Sequence, residues 1–454
     1  MDQQPLEPIE PAGPFSRFMR FSRFMRFLRR VLLIEPGEGR WLLVCGASFF
    51  LLLSSYYIIR PIRDQMGIAG GVKALPWLMT ATLVTMIVVN PIFAILVSRL
   101  PRRRFIPITY RFFAVNLLVF YGLLFLPMTD GAHLWLGRAF YVWSSVFNLF
   151  VISIFWSTMA DAHTPAQSRR LFGPIGVGGT LGAIVGAASI DLIGSIGDPR
   201  HLLPVSALLL EAATLCFLWM SKQGRLDQRP SREPGSNPLA GLKLLWTSRT
   251  IRLIAIYIFL FTLTGTVLYL EQSRIIEAAG VSRAEQTRLF ARIDLVVNGL
   301  TLLLQGLATG RIVLLIGVPA TLLILPLITV AGFVGLATQP SVALVAIFNA
   351  GRRALHYSID RPVREMLFTA LGPDERYKAK SLIDTFIYRG GDAVGAWSVP
   401  ATQKLANVSS LAGLLGPLAG SPTIVPIFAA AASAVWLTNA VMLGARTRRA
   451  SAKG

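Results

Sequence analysis

The sequence predicts an all-α polytopic membrane protein, and three observations carry that prediction. The chain of 454 residues is 54% hydrophobic and only 15% charged, whereas soluble domains carry roughly 25% charged residues. Its mean hydropathy is +0.58, which is more apolar surface than a water-soluble fold can bury. Apolar stretches of about 20 residues, long enough to cross a bilayer as a helix, recur along the chain. This hydropathy excludes disordered and fibrous proteins, and it excludes nucleic-acid binding, which the net charge of +21 alone would suit.

We count twelve candidate membrane helices by the length of the apolar runs. The fifth, eighth, tenth and eleventh are interrupted by glycine or by charge. In chain order the predicted spans are Trp41–Ile59, Pro76–Ser98, Phe105–Leu126, Leu134–Trp156, Phe172–Ile193, Leu202–Met220, Ile251–Leu270, Leu289–Leu307, Ile312–Ala337, Val342–Ser358, Lys380–Val399 and Thr423–Leu443.

The basic residues predict the orientation of these spans. With both termini inside, the inner segments hold about 29 Lys and Arg, the outer loops about 8 and the spans about 7, which is the positive-inside pattern. The segment Ser221–Thr250 is polar and contains Pro230, Pro234 and Pro238. Six spans precede it and six follow it, and both groups start inside. We therefore expect two parallel six-helix bundles in a major-facilitator-like arrangement. The predicted boundaries are a basic cytosolic tail at 1–40, bundles at 41–220 and 251–445, a cytosolic linker at 221–250 and a cytosolic tail at 446–454.

Several function classes lack the residues they need. Cys45 and Cys216 both lie inside predicted spans, and the four histidines show no metal-ligand spacing on a helix. No G-x-x-x-x-G-K-[ST] motif is present, so a P-loop ATP-driven pump is excluded. No nucleophile, base and orienting group fall together. We therefore expect no enzyme activity, no metal and no cofactor.

Charged residues inside membrane spans are costly and mark pathways or ion pairs. In the first half, Arg60 and Arg63 share one helix face beside Asp64, and Arg138 lies in the fourth span. Arg60 and Arg63 allow two interpretations. Either they are interfacial anchors and Arg63 pairs with its neighbour Asp64, or they form the cationic lining of a pathway. The fifth span is rich in glycine, which is typical of close helix packing and is compatible with gating.

The second half holds the denser set of charges. Glu271 closes the seventh span and Arg274 follows it, while Arg292 and Asp294 start the eighth. Arg352 and Arg353 lie in the tenth span, and Asp384, Arg389 and Asp392 lie in the eleventh. Some of these are structural ion pairs between helices. Arginine nevertheless outnumbers the buried acids, and its planar fork suits phosphate or carboxylate, so the sign favours an anionic substrate.

At these residues the chain resembles the ATP/ADP translocase (nucleotide transporter) family, a branch related to the major facilitator superfamily, and within it the proteins of free-living bacteria. The resemblance runs from about Pro36 to Arg446. It rests on Tyr56–Asp64, on Ile154–Trp156 with Asp161, on Arg170–Gly173, on Glu271, and on Lys378 and Lys380 followed by Tyr388–Asp392. It implies nucleotide exchange in a bacterial inner membrane, with functional charges at Arg63, Glu271 and Arg389. The family's acid in the fourth helix falls at Ser144 here.

Together these patterns predict an alternating-access secondary transporter of an organic or phosphorylated anion, with a nucleotide among the candidates. The predicted substrate-binding residues are Arg60, Arg63, Arg138, Arg274 and Arg389. The predicted gating or ion-pair residues are Asp64, Glu271, Asp294, Asp384 and Asp392. The expected partners are the small anion and membrane lipid; the oligomeric state stays open. One alternative is a proton-coupled exporter of lipophilic compounds in which Asp294 or Asp384 titrates, and another is a membrane scaffold that transports nothing.

Overall fold

The computed structural model describes Glu35, Ala379 and residues 37–99, 101–223, 242–307, 309–369, 382–406 and 421–451. Within these residues the regular structure is entirely helical. Most of the predicted N-terminal tail and of the predicted linker lies outside the described residues, so the domain boundaries stay predictions.

Twelve labelled helices follow one another along the chain. They are α1 Gly39–Ile68, α2 Leu75–Arg99, α3 Arg102–Leu124, α4 Asp130–Ala162, α5 Pro165–Gly194, α6 Leu203–Lys222, α7 Arg249–Ala278, α8 Arg283–Leu307, α9 Thr309–Thr338, α10 Val342–Leu355, α11 Tyr388–Ala406 and α12 Ile424–Ser451. Short helices lie at Val72–Ala74, Pro199–Leu202, Leu242–Thr247 and Arg361–Thr369. Two π-helical turns, His356–Asp360 after α10 and Ile383–Ile387 before α11, complete the described elements.

In the described residues, nine helices are long and apolar enough to cross a membrane: α1 to α7, α9 and α12. The chain is therefore a multi-pass membrane protein. The predicted eighth, tenth and eleventh spans fall on α8, α10 and α11, which are short or rich in charge. The count of twelve spans thus stays a prediction, and the three exceptions are the helices that carry Asp294, Arg352 and Arg389.

The packing of the helices follows the same order in the two halves of the chain. In the first half, α1 packs on α5 and α6, α3 packs on α6, and α2 packs on α4. In the second half, α7 packs on α11 and α12, α9 packs on α12, and α8 packs on α10. The two groups meet where α5 and α1 contact α8 and where α2 contacts α11.

Glycine sets the spacing of α1 and α5. A Cβ atom at Gly182 would collide with the carbonyl oxygen of Phe50, and one at Gly186 would collide with that of Ser54. Ser54 also donates a hydrogen bond of 3.0 Å to the carbonyl oxygen of Gly182. This confirms the prediction that the glycine-rich helix packs closely on a neighbour. At the N-terminal ends of the same helices, Arg170 forms ion pairs with Glu38 and Glu35.

Candidate functional site

A cavity of about 300 Å³ lies between the two groups of helices, near the middle of their length. Its wall combines basic and aromatic side chains from α1, α4, α7, α10, α11 and the π-helical turn that follows α10. The basic ones are Arg60, Arg63, Arg352, Arg353 and Arg389, and the aromatic ones include Tyr141, Phe261, Tyr269, His356, Tyr357 and Tyr388. A larger cavity of about 1060 Å³ lies among the loops and helix ends beyond Ile68. We assign the site to the smaller cavity because the intramembrane charges converge there.

Asp294 of α8 binds two of these arginines at once. Its Oδ1 lies 2.6 Å from Nη1 of Arg353 and 3.2 Å from Nη1 of Arg60. The carboxylate is buried, and its two ion pairs join α1, α8 and α10 at the interface of the two groups. Within the described residues, Asp294 Oδ2, Arg60 Nε and Arg353 Nη2 are buried without a hydrogen-bond partner. This cluster therefore retains polar atoms that a ligand can satisfy.

A second cluster joins α1 to α7. Arg63 Nε donates to Oδ1 of its neighbour Asp64 at 2.9 Å, and the hydroxyl of Tyr269 donates to the same oxygen at 3.0 Å. The guanidinium of Arg63 also lies over the ring of Tyr141, 5.1 Å from its centroid. Arg63 thus forms the predicted neighbour pair with Asp64 and also lines the cavity.

Arg352 is buried, and all its hydrogen-bond partners are neutral in the described part of the chain. It donates to the carbonyl oxygen of Phe261 at 2.7 Å and to the hydroxyls of Thr264 and Thr329 at 3.1 and 3.3 Å. Its guanidinium lies over the rings of Phe261 and Trp436, 4.9 and 5.9 Å from their centroids. These contacts hold the positive charge in place without cancelling it, which is the condition for binding an anion.

The π-helical turn after α10 places a hydrogen-bonded triad behind the cavity wall. Nδ1 of His356 lies 3.0 Å from Oδ2 of Asp360, and Tyr257 donates to Oδ1 of the same carboxylate at 2.6 Å. The imidazole stacks on Phe261 with a centroid separation of 4.2 Å. Because π turns re-aim the side chains of a helix, they often mark functional sites.

The remaining charges of the cavity, Arg389 and Asp392, lie in the first turns of α11, directly after the π-helical turn. Arg389 Nη1 lies 3.4 Å from Oδ2 of Asp392, and Thr266 of α7 donates to Oδ1 at 3.0 Å. The Arg389 side chain keeps 34% of its exposure, the largest fraction among the cavity arginines with an ion-pair partner. It is therefore the most accessible cation of the site.

The structure brings some of the sequence-predicted residues together and leaves others apart. Arg60, Arg63, Arg389 and Asp392 line the cavity, while Asp64 and Asp294 bind its arginines. The side chain of Asp384 lies outside the described part.

Arg138, Arg274 and Glu271 do not line this cavity. Arg274 forms an ion pair of 2.7 Å with Glu271 one turn earlier, and Arg138 lies 4.7 Å from the centroid of Trp135. Each of these side chains contacts a residue of its own helix and lies outside the cavity wall, although each was predicted from its position in or near a span.

Sequence reasoning missed the aromatic wall and the triad. Aromatic residues are common throughout membrane helices, so those facing the cavity gave no distinct signal. The spacing of His356 and Asp360, four residues apart, was the signal for the triad, since a helix places such residues on one face. The described residues contain no group of three or more His, Cys, Asp or Glu side chains that would hold a metal ion.

Comparisons with known proteins identify the fold. No family model and no curated protein matches the sequence. The structure is similar to the crystal structure of a mutant of the nucleoside transporter NupG, with a TM-score of 0.62, 13% identity, and coverage of 88% of this chain and 99% of that one.

It is also similar to PepTSo, a POT family transporter, with a TM-score of 0.61 and 12% identity over 90% of this chain and 99% of that one. A bacterial homologue of the human lysosomal transporter Spinster, inward-facing and unoccupied, matches with a TM-score of 0.54 and 14% identity over 90% of this chain and 96% of that one. At these identities the likeness shows the fold alone, which this chain shares with the three transporters.

Proposed function

We propose that the protein is a secondary transporter that carries an organic or phosphorylated anion by alternating access. The observation that carries the proposal is the charge of the cavity. Five arginines line it, and the acids that line it or bind those arginines are Asp64, Asp294 and Asp392. The described part of the site thus holds a surplus of positive charge. Its surroundings have a low dielectric constant, which strengthens the attraction of these arginines for an anion.

The packing supports alternating access. At the end of the bundle where α1 finishes, which we call the Ile68 end, Trp77 of α2 stacks edge-on against Trp397 of α11 at 4.7 Å. Trp397 also donates a hydrogen bond of 3.0 Å to Thr80. These contacts, together with a buried apolar cluster that contains Ile68 and Leu270, join the two halves at the Ile68 end. In this proposal the twelve helices form two six-helix bundles in the inner membrane. If the basic loops face the cytosol, as the sequence predicts, this state faces inward.

The substrate class rests on the guanidinium groups. The similar structures include a nucleoside transporter and a POT family peptide transporter, and the resemblance to the ATP/ADP translocases suggests nucleotides. The position of that family's acid in the fourth helix, Ser144, is buried, and its hydroxyl donates to the carbonyl oxygen of Tyr141. We therefore propose an anion with a phosphate or carboxylate group and treat nucleotide exchange as one case of it.

The test is uptake of labelled anions into proteoliposomes. Nucleotides, phosphate esters and carboxylates are screened with the wild-type protein and with Arg63→Ala and Arg389→Ala. The control is Arg446→Ala, because Arg446 is exposed and hydrogen-bonds Thr250 away from the cavity. Uptake that is lost in both cavity variants and kept in the control supports the proposal. Equal uptake in all of them contradicts the site.

A second candidate, proton-coupled export, is favoured by the His356–Asp360–Tyr257 triad. Histidine and carboxylate side chains joined by hydrogen bonds are the groups from which proton relays in membrane transporters are built. Of the acids that the sequence suggested for this role, Asp294 is held by two arginines and the Asp384 side chain is undescribed. The two functions differ in their driving force: proton-coupled export stops when the pH gradient is collapsed, whereas exchange needs a counter-substrate and does not.

A further inference from the structure

The outer surface of α3 and α6 carries an ion pair far from the cavity. Nη2 of Arg111 lies 2.8 Å from Oε1 of Glu211, and Nε lies 3.2 and 3.1 Å from the two carboxylate oxygens. The side chains keep 52% and 36% of their exposure. In a multi-pass membrane protein, this surface faces lipid.

The pair lies deep in the membrane. At about 1.5 Å per residue, Arg111 lies about 13 Å from the start of α3 and about 20 Å from its end. Glu211 lies about 12 Å from the start of α6 and about 16 Å from its end. These distances exceed the reach of the side chains, so neither charge can extend to the headgroups. Charges that face hydrocarbon at this depth are costly, and membrane proteins keep them where protein or water covers them.

The surroundings of the pair form one continuous apolar face. The exposed residues Ile108, Phe112 and Val115 follow helical spacing on α3, and Leu208 and Leu215 flank Glu211 on α6. We call this surface the α3/α6 face.

The corresponding helices of the second half provide an internal comparison. The described residues of α9 and α12 expose Leu327, Val334, Val435 and Val441. Between Val318 and Thr338 on α9 and between Ile424 and Leu443 on α12, the sequence has no charged residue. A lipid-facing surface of this fold therefore needs no ion pair, and the pair on the α3/α6 face requires a separate cause.

We propose that the α3/α6 face binds a second copy of this chain in a two-fold symmetric dimer. A two-fold axis beside the pair brings Arg111 of each copy opposite Glu211 of the other, so the surface is complementary to itself. Nη1 of Arg111 makes no hydrogen bond within the described residues, and a carboxylate accepts about four hydrogen bonds. The free Nη1 donors of each guanidinium can thus reach the acceptor site that remains on the opposite carboxylate, and the four charges leave the lipid together.

Two measurements test this proposal without a transport substrate. The first counts photobleaching steps of the singly labelled protein in liposomes as the protein-to-lipid ratio falls. Wild type is expected to show two steps down to low ratios. The double variant Arg111→Leu/Glu211→Leu removes both charges together and leaves no unpaired ion. Its dimer dissociation constant is expected to rise about tenfold, as for loss of polar contacts between membrane helices.

The second measurement is disulfide cross-linking in a background that lacks Cys45 and Cys216, the two native cysteines. Val115→Cys on α3 is expected to cross-link, whereas Val334→Cys on α9 is not. Val334 is a matched control because it is exposed to a similar degree on the corresponding helix.

The proposal is overturned if the wild-type protein is monomeric at every protein-to-lipid ratio, whether it is reconstituted alone or together with a different membrane protein. Cross-linking through Val334→Cys in place of Val115→Cys overturns the choice of face. An unchanged dissociation constant in the leucine variant overturns the role of the ion pair.

Discussion

Arg352 is the residue on which anion binding depends most directly. Its planar guanidinium is held by three neutral oxygen acceptors and two aromatic rings, so its charge is available to a ligand. We expect Arg352→Lys to keep the charge and lose the fork and the stacking, which should weaken anion affinity about tenfold, or ~1.4 kcal/mol. Anion-induced thermal shifts in detergent measure this. Arg274→Lys is the control, because Arg274 lies outside the cavity, and an equal loss there contradicts the prediction.

Asp294 has the opposite role, since it compensates two buried arginines. Replacing it with asparagine leaves Arg60 and Arg353 close together without a counter-charge. We expect Asp294→Asn to lower the free energy of unfolding by about 3 kcal/mol and expect high phosphate concentrations to restore part of it. Asp392→Asn should cost less, because that carboxylate is part-exposed and pairs with one arginine. Equal melting temperatures for Asp294→Asn and wild type would show that the carboxylate does not hold the cluster.

The charged residues of the site could be predicted because ionisable side chains inside apolar spans are conspicuous. Arg60, Arg63 and Arg389 are cases of this. The neighbour pair of Arg63 with Asp64 could also be predicted, but the pairing of Arg60 with Asp294 could not, since Asp294 reaches Arg60 only through the packing of α8 on α1. In sequence Arg274 resembles Arg63, because each lies near an acid at a span end. The difference between them is set by which neighbouring helix covers each face.

At the scale of elements, two local deviations from α-helix shape the cavity. The π turn at His356–Asp360 contains the cavity residues His356 and Tyr357, and the π turn at Ile383–Ile387 directly precedes the cavity residues Tyr388 and Arg389. Hydrophobic periodicity assumes 3.6 residues per turn, so it cannot show where a helix changes register. Periodicity and composition indicated the positions of the helices, but only the structure shows which faces of α10 and α11 line the cavity.

The contact between α1 and α5 yields a prediction about an element. Gly182→Ala places a methyl group against the Phe50 carbonyl oxygen. Moving this backbone atom out of the way costs more free energy than moving the end of a flexible side chain. We expect a loss of about 1–3 kcal/mol in the free energy of unfolding, as for overpacked cores. Gly176→Ala on the same helix is the control, since a Cβ there meets nothing within 4 Å. The measurement is thermal unfolding followed by tryptophan fluorescence. Similar melting temperatures for the two variants would contradict the close packing.

At the scale of the whole molecule, the sequence predicted a helical membrane fold with two halves, and structural similarity supports the fold. Apolar length and basic-loop asymmetry are properties of single segments, so sequence alone reveals them. The way the halves meet is a property of pairs of distant segments. The contact of α5 with α8 and the tryptophan pair at the Ile68 end therefore had no signal in the sequence.

The contact of α5 with α8 includes an ion-pair network that should set the conformational equilibrium. Asp191, near the end of α5, lies 3.2 Å from Nε of Arg288 and 2.8 Å from Nε of Arg292. It joins the two halves at the Ile68 end, where they are packed together. We expect Asp191→Asn to weaken this closure and to shift the population towards a state open at the Ile68 end.

Sided thiol labelling measures that shift. Met79→Cys places a thiol on the cavity wall, and a membrane-impermeant reagent reaches it from the Ile68 side only when that end opens. Labelling from that side should rise several-fold with Asp191→Asn, because weakening a part-exposed ion-pair network is worth about 1 kcal/mol. Asp198→Asn is the control: Asp198 pairs with Arg200 at the same end and within the same half. If labelling rises equally in both variants, general loosening of the Ile68 end explains it, and the bridge between α5 and α8 does not hold the halves closed.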